Sequence, residues 1–412
     1  MPRKLTDLQE KYWLALAFLL RLGFALRLGG GLYQADENGN ELSAWLMAQN
    51  RAFVGLDGKP LVAPPLTTFQ IAVFYEIFGR HPLIARLGLS VLSTAVVWVV
   101  GRFVRDITDS PKNGKLALIL AAVYPFFIYY GGMLMSDLQY VFFITIGLWL
   151  LARGLRERGA PVWESAGAGL ALGFAGLCRS EGIGIFLVIF PLLLIFLREY
   201  RRPVAVALLF FLLPLAGWAT RNAAVDGHWS LIHDHHSGTS LLHGTVVFDQ
   251  NEVDTGEAME SLHKMPFWQD GWKMPEHERE ESFTKVAIQY IRDNPGKYAY
   301  ECLYKFFGFW RFYPRADKSY TASAGNNPAA GAKRWLLTIV SLIFEPALIV
   351  CGLWGLWSLG RRAELLPLWL FLLGTNAVHA LTVSQMRYRL PVMPVLMLGF
   401  CAWLGRLRRI NI

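Results

Sequence analysis

Cysteine is scarce in this 412-residue chain, at four residues, and none stands in a Cys-x-x-Cys arrangement. Cys178, Cys351 and Cys401 fall in or at the ends of apolar stretches, and Cys302 stands alone in a polar segment. A disulfide framework and a thiolate metal knuckle are thereby excluded. Charge is sparse as well, at 17% of residues against 54% hydrophobic ones, too apolar a balance for a soluble chain of this length. No Walker sequence is present, which removes the basis for an ATP-driven pump. Strand-like alternation, internal repeats and low-complexity tracts are lacking, and with them an independent β domain, a solenoid and the inverted halves of many transporters. The first apolar stretch has no small-residue cleavage pattern, so the expectation is an uncleaved signal anchor.

What is present is apolar length. A bilayer core takes roughly 20 apolar residues per helix, and ten stretches qualify: 12–32, 82–104, 115–132, 136–153, 164–178, 182–198, 203–219, 335–357, 364–382 and 388–405. A shorter one, 64–79, carries Glu76 and reads as interfacial or re-entrant. The expected fold class is an all-α polytopic membrane protein with about ten transmembrane helices. Eighteen Lys and Arg residues, from Arg3 to Arg409, fall in the six segments that are inner if the N-terminus is cytoplasmic. The short outer turns hold only Arg179, so both termini are expected inside. The net charge of +9 is then a topology signal and not a nucleic-acid footprint.

Three parts follow: an N-terminal transmembrane module, 1–219, whose first outer loop is 33–81; a large outer segment, 220–334; and C-terminal transmembrane helices, 335–412. The loop 33–81 is read as a helix over 40–50, a turn around Val54–Gly58, and a helix start at Pro64-Pro65-Leu66. The large segment holds 15 of the 31 acidic residues and 13 basic ones, with helices expected over 276–293 and 295–308. Gly167, Gly169, Gly173 and Gly176 lie inside a span, where small residues permit close helix approach; no nucleotide site is read there.

Ionisable groups at span ends are expensive and tend to mark function. Asp36, Glu37, Asp137, Arg179, Glu181, Arg221, Arg387 and Arg389 gather at the outer ends on this topology. Each alone has a structural reading as an ion pair or cap. Arg21 and Glu345 lie within spans and need partners that the sequence does not reveal. His233, Asp234, His235 and His236, with His243 downstream, are weak metal candidates, because adjacent His residues rarely converge on one ion. A polar loop is the preferred reading.

The ordered pieces Ala35-Asp36-Glu37, Pro64-Pro65-Leu66, Ala85-Arg86-Leu87, Tyr129-Tyr130-Gly131, Ser136-Asp137, Cys178-Arg179-Ser180-Glu181-Gly182, Trp218-Ala219-Thr220-Arg221-Asn222, Asn294-Pro295-Gly296-Lys297 and Arg387-Tyr388-Arg389-Leu390-Pro391 resemble the GT-C membrane glycosyltransferases. The nearest branch includes protein O-mannosyltransferases, aminoarabinose transferases and Rgt-type lipopolysaccharide sugar transferases. The family often has Thr-Arg-Pro-Glu-Gly where this chain has Cys178–Gly182, and an Asn/Gly-rich stretch where this chain has its His cluster. Those departures touch substrate identity.

The resemblance implies an inverting transferase. It would move a hexosyl or pentosyl group from a polyprenyl-phosphate donor to an extracytoplasmic hydroxyl of a lipid, glycan or protein. No cofactor is required on this reading, and divalent metal is an open question. Asp36 would be the base, and Glu37 would orient the acceptor or share the charge. Arg387 and Arg389 would bind the donor phosphate, with a hydrogen bond from Tyr388. Asp137, Arg179, Glu181, Arg221 and His243 would contact sugar or scaffold the site. Membrane lipids are the other expected partner, and the location is a prokaryotic cytoplasmic membrane with the site on its outer face. A secondary transporter or lipid flippase is the rival from another class, and an inactive assembly scaffold a third. Neither oligomeric state, sugar nor polyprenol is legible.

Overall fold

Proline and glycine punctuate the helices of this chain. The computed structural model describes residues 2–410 apart from 56–57, 59, 157–160, 228, 230, 232–236, 246–261, 263, 275 and 313–327. Among the described residues there is no strand, only an isolated bridge between Val54 and Pro60. Among the described residues six helices are long and apolar enough to cross a membrane: Pro82–Thr108, Asp137–Arg156, Arg198–Val225, Thr338–Ser358, Ala363–Leu381 and Met386–Leu407. Pro111–Val123 and Pro125–Gly132 make a further broken one, bent by 53°. Leu66–Phe78, Val162–Cys178 and Glu181–Phe196 are apolar but shorter. Residues 12–28 of the first stretch belong to a helix, Pro2–Leu28, that Gly29 at φ 57° ends four residues short of the expected bound.

The chain divides into two units. The first comprises Met1–His233, Val350–Leu372 and Leu390–Ile412; the second comprises Asp234–Ile349 and Leu373–Arg389. Residues 335–412, read from the sequence as one C-terminal part, contribute to both units.

In the first unit, α1 (Pro2–Leu28), α2 (Ala35–Asn50), α3 (Leu66–Phe78), α4 (Pro82–Thr108), α5 (Pro111–Val123), α6 (Pro125–Gly132), α7 (Asp137–Arg156), α8 (Val162–Cys178), α9 (Glu181–Phe196) and α10 (Arg201–Asp226) follow in order. The α5–α6 break has a chemical cause. Pro125 has no N–H to offer the Ala121 carbonyl one turn back. Arg21 of α1, 1% exposed, supplies the missing donors. Its guanidinium donates to Ala121 O at 3.1 Å and Ala122 O at 3.0 Å, to Ala17 O at 3.0 Å, and to Ser93 Oγ at 2.7 Å. Ser93 in turn donates to Phe127 O at 3.1 Å. The isolated mid-span arginine is therefore a plug for a proline break.

The glycines of α8 act as expected from their spacing. A Cβ on Gly169 or Gly173 would strike the backbone of α10 near Ala207 and Phe211, so only glycine allows that crossing. Gly355 and Gly399 hold a second such contact, each lying against the other's helix backbone. Phe186, Phe190, Phe211 and Phe371 fill the adjacent core, with Phe186 stacked on Phe371 at 5.7 Å.

The second unit contains α11 (Ser237–His243), α12 (Pro266–Gly271), α13 (Glu276–Asp293), α14 (Pro295–Gly308), the first part of α15 (Pro328–Ser358) and the end of α16 (Leu366–Leu381); α17 (Met393–Ile410) returns to the first. The bounds of α13 and α14 coincide with those read from the sequence, because Asn294-Pro295 stops one helix and starts the next. Leu242, Leu262, Trp268, Phe283 and Ala287 form a small core.

Lys305 of α14 is buried beside it and donates to Gly244 O at 2.7 Å and Thr382 O at 2.9 Å. Burial lowers its ammonium to about 8, against the pull of Cys302 and Glu301 toward higher values. Between pH 8 and the ordinary lysine range the unfolded chain then binds more protons than the folded one, so this group adds stability as pH rises through that window. Comparing melting temperatures with Lys305→Met from pH 7.5 to 10 should show the wild type gaining relative to the variant. A pH-independent difference would refute the assignment.

Candidate active site

Two adjacent carboxylates at the start of α2 take opposite environments because successive helical residues point about 100° apart. Gln34 is the N-cap, with φ −127°, and Asp36 and Glu37 lie in the first turn. Asp36 is solvent-exposed, in the positive potential of the helix N-terminus. Glu37 is fully buried. Its Oε2 accepts from Tyr33 N at 2.8 Å and Gln34 N at 3.2 Å. Its Oε1 accepts from Leu134 N at 2.9 Å and from Arg86 Nη1 at 2.8 Å.

Four donors saturate the Glu37 carboxylate. The sequence reading has Glu37 orient the acceptor or share the charge; these contacts show it holding the α2 N-terminus. Arg86, also fully buried, is the partner the sequence reading quoted without giving it a role. Besides Glu37 it donates to Gly29 O at 3.3 Å and to the carbonyls of Gly31 and Gly132. One guanidinium thereby ties the end of α1, the start of α2 and the end of α6. Asn40 donates to Leu134 O at 2.9 Å, fastening the same turn again. A charged residue in the first turn of an apolar span was the signal that could have found Arg86.

Three residues beyond Leu134, Asp137 opens α7 and is 3% exposed. Arg179 reaches Asp137 Oδ1 at 3.1 Å and Glu181 at 3.2 Å, so these three sequence candidates do come together. Asp137 Oδ2 and the Tyr140 hydroxyl are buried there without a hydrogen-bond partner.

Arg221 serves as a clamp. It donates to Phe53 O at 3.1 Å, to Leu61 O and to Asn222 Oδ1 at 2.9 Å, and lies over the Trp218 ring at 4.8 Å. Trp218 and Asn222 both donate to Val62 O, at 3.0 and 2.9 Å. Of its two expected roles, scaffolding is the one these contacts match, and its object is the 53–62 connection. Glu41 of α2 is held by Arg80 at 2.7 and 2.8 Å, which keeps its carboxyl below the usual range.

In the second unit, Arg389 is 2% exposed and closed on its own protein. It pairs with Glu345 Oε2 at 2.6 Å and donates to Phe309 O at 2.6 Å and Arg311 O at 2.9 Å. The in-span Glu345 thus finds its partner in Arg389, a residue expected at the donor phosphate. Arg387 lies over the Tyr388 ring at 5.1 Å. Tyr388 stacks on His379 at 4.4 Å, and His379 on Phe309 at 6.0 Å. His243 stacks on Trp268 at 5.4 Å, within the small aromatic core. His233, Asp234, His235 and His236 lie outside the described residues. Among the described residues no group of three or more His, Cys, Asp or Glu side chains is arranged to hold a metal ion.

Residues 62–218 match the model of a family described as dolichyl-phosphate-mannose-protein mannosyltransferase. Comparison with curated proteins finds no match. Among solved structures, ArnT from Cupriavidus metallidurans bound to undecaprenyl phosphate is similar, with a TM-score of 0.59 and 15% identity, over 96% of this chain and 60% of that one. The Archaeoglobus fulgidus oligosaccharyltransferase in complex with zinc and sulfate gives a TM-score of 0.55 at 12% identity, over 97% of this chain and 49% of that one. AglB from Archaeoglobus fulgidus, in complex with an inhibitory peptide and a dolichol-phosphate, gives 0.51 at 12% identity, over 98% and 52%. The chain spans about 60% of the length of the ArnT structure it matches. The chain therefore has the fold shared with these solved structures, and residues 62–218 match the mannosyltransferase family model.

Proposed function

We propose that this protein is an inverting glycosyltransferase. It takes a hexosyl or pentosyl group from a polyprenyl-phosphate donor and places it on an acceptor hydroxyl outside the cytoplasm. The observation that carries the reading is the exposed Asp36, held at a helix N-terminus by the buried Glu37–Arg86 brace. Undecaprenyl phosphate in ArnT and dolichol-phosphate in AglB support a polyprenyl-phosphate lipid as partner.

Asp36 takes the acceptor proton as that oxygen attacks C1 from the side opposite the phosphate. The new C1–O bond forms, the old one breaks, and its electron pair leaves with the polyprenyl phosphate. A guanidinium suits that developing charge, and the family resemblance supplies Arg387 and Arg389 as the candidates for it. Asp137, Arg179 and Glu181 form a polar cluster suited to sugar contacts. The excess of Lys and Arg in alternate connections supports a prokaryotic cytoplasmic membrane with both termini inside and the site facing outward.

The reaction as written needs no cofactor. The test is purified protein with synthetic polyprenyl-phosphate hexoses and pentoses and a panel of lipid, glycan and peptide hydroxyl acceptors, with and without chelator. Product with inverted anomeric configuration is expected. Retained configuration, or donor transport without transfer in proteoliposomes, would overturn the reading.

A further inference from the structure

Asn376 sits in the apolar helix α16, 1% exposed, and neither its amide oxygen nor its amide nitrogen has a hydrogen-bond partner. The neighbouring Thr375 is fully buried and its hydroxyl is equally unpartnered. Threonines within helices usually bond back to the carbonyl four residues earlier. In this chain Thr145, Thr220 and Thr382 do so. Thr375 does not, so its own helix has not absorbed its hydroxyl. An amide carries two donor hydrogens and two acceptor lone pairs, and a buried group left unmet bears its full desolvation penalty.

Asn376 and Thr375 lie three and four residues before His379, on the same helix face. His379 is the ring on which Tyr388 stacks at 4.4 Å, and Arg387 covers Tyr388. Ser341 and Ser384 are two more buried, unpartnered hydroxyls in this unit. Ser341 lies one turn before Glu345, whose carboxylate is taken by Arg389. The unmet set is thus neutral, hydroxyl- and amide-rich, and accompanied by aromatic rings. That chemistry matches a polyhydroxylated ring and not a bare anion or a metal ion.

We propose that Asn376 and Thr375 hydrogen-bond the hydroxyls of a sugar ring bound in this unit, and so help decide which sugar is accepted. The inference rests on the proposed glycosyl transfer and names a specificity determinant for it. The ring belongs to the donor or to the acceptor, and the two are separable by experiment.

Affinity is measured in detergent for a short-chain polyprenyl phosphate, bare and carrying a hexose or a pentose, using wild type, Asn376→Leu and Thr375→Val. KM for the acceptor is measured in parallel. Asn376→Leu should lose about tenfold to hundredfold for a glycosylated ligand, as expected for one or two buried hydrogen bonds, and keep its affinity for the bare lipid phosphate. A raised acceptor KM at unchanged donor affinity assigns the ring to the acceptor instead. The ligand-free Asn376→Leu protein should melt at or above the wild-type temperature, because an unmet polar group has been removed. Unchanged affinities and KM in both variants, or a lower melting temperature with unchanged sugar preference, would reduce Asn376 to a water-bound structural amide and overturn the proposal. Should Asn376→Leu fail to fold, the nearly isosteric Thr375→Val carries the measurement alone. Wild type that binds bare lipid phosphate but no glycosylated form would overturn the transferase reading itself.

Discussion

Asp36→Asn should abolish nearly all transfer while leaving the protein folded. A positioned general base contributes about 10²–10⁴-fold in rate. The amide cannot accept the acceptor's proton, so the fall should appear in kcat at comparable donor affinity. Stability should hardly move. Asp36 is exposed, and its charge at a helix N-terminus is worth about 0.3–1 kcal/mol. Asp36→Glu is the informative companion: it restores a carboxylate on a longer arm and should recover part of the rate. Transfer near the wild-type rate in a folded Asp36→Asn protein would remove Asp36 from the mechanism.

Arg86→Met should be the most destabilising substitution in the first unit. Removing one partner of a buried ion pair leaves an uncompensated charge and typically costs about 3–5 kcal/mol. Here it also strips donors from the carbonyls of Gly29, Gly31 and Gly132. Because Glu37 and Arg86 both reach the turn that orients Asp36, transfer should fall with stability. The double variant Glu37→Gln/Arg86→Met no longer buries a lone carboxylate, and should regain part of the lost melting temperature. A single variant as stable as wild type, or a double variant worse by the sum of both singles, would contradict the pairing. This cycle also tells positioning from chemistry: Glu37→Gln should weaken both properties together, whereas Asp36→Asn weakens one.

Much of the site's frame was legible in the chain. Asp36 stood out because a carboxylate just past an apolar stretch needs water or a task. Asp137, Arg179 and Glu181 were selected by their places at helix ends, and the structure brings those three together. Arg221 was given two readings, and the contacts match the scaffold. Two further candidates find partners that no local pattern names. Glu37 and Arg389 carry the charge that a substrate site needs, but Arg86 and Glu345 neutralise them at sequence separations of 49 and 44. Nothing local in a sequence distinguishes an exposed charge from one paired that far away. The helix period offered one hint, since Asp36 and Glu37 point about 100° apart on α2.

Hydropathy, small-residue spacing and proline position determined the helices, because backbone groups inside a bilayer must bond within their own segment. That logic is local, and it made an all-helical membrane protein and the α13–α14 boundary readable directly. Tertiary structure alone decided where the buried charges go. Arg21 fills a proline break 100 residues on, Glu37 is drawn into a brace with Arg86, and Asn376 is left unmet in an apolar helix. Such pairings depend on which helices pack together, and burial then sets whether a polar group is anchored, spent or waiting for a ligand.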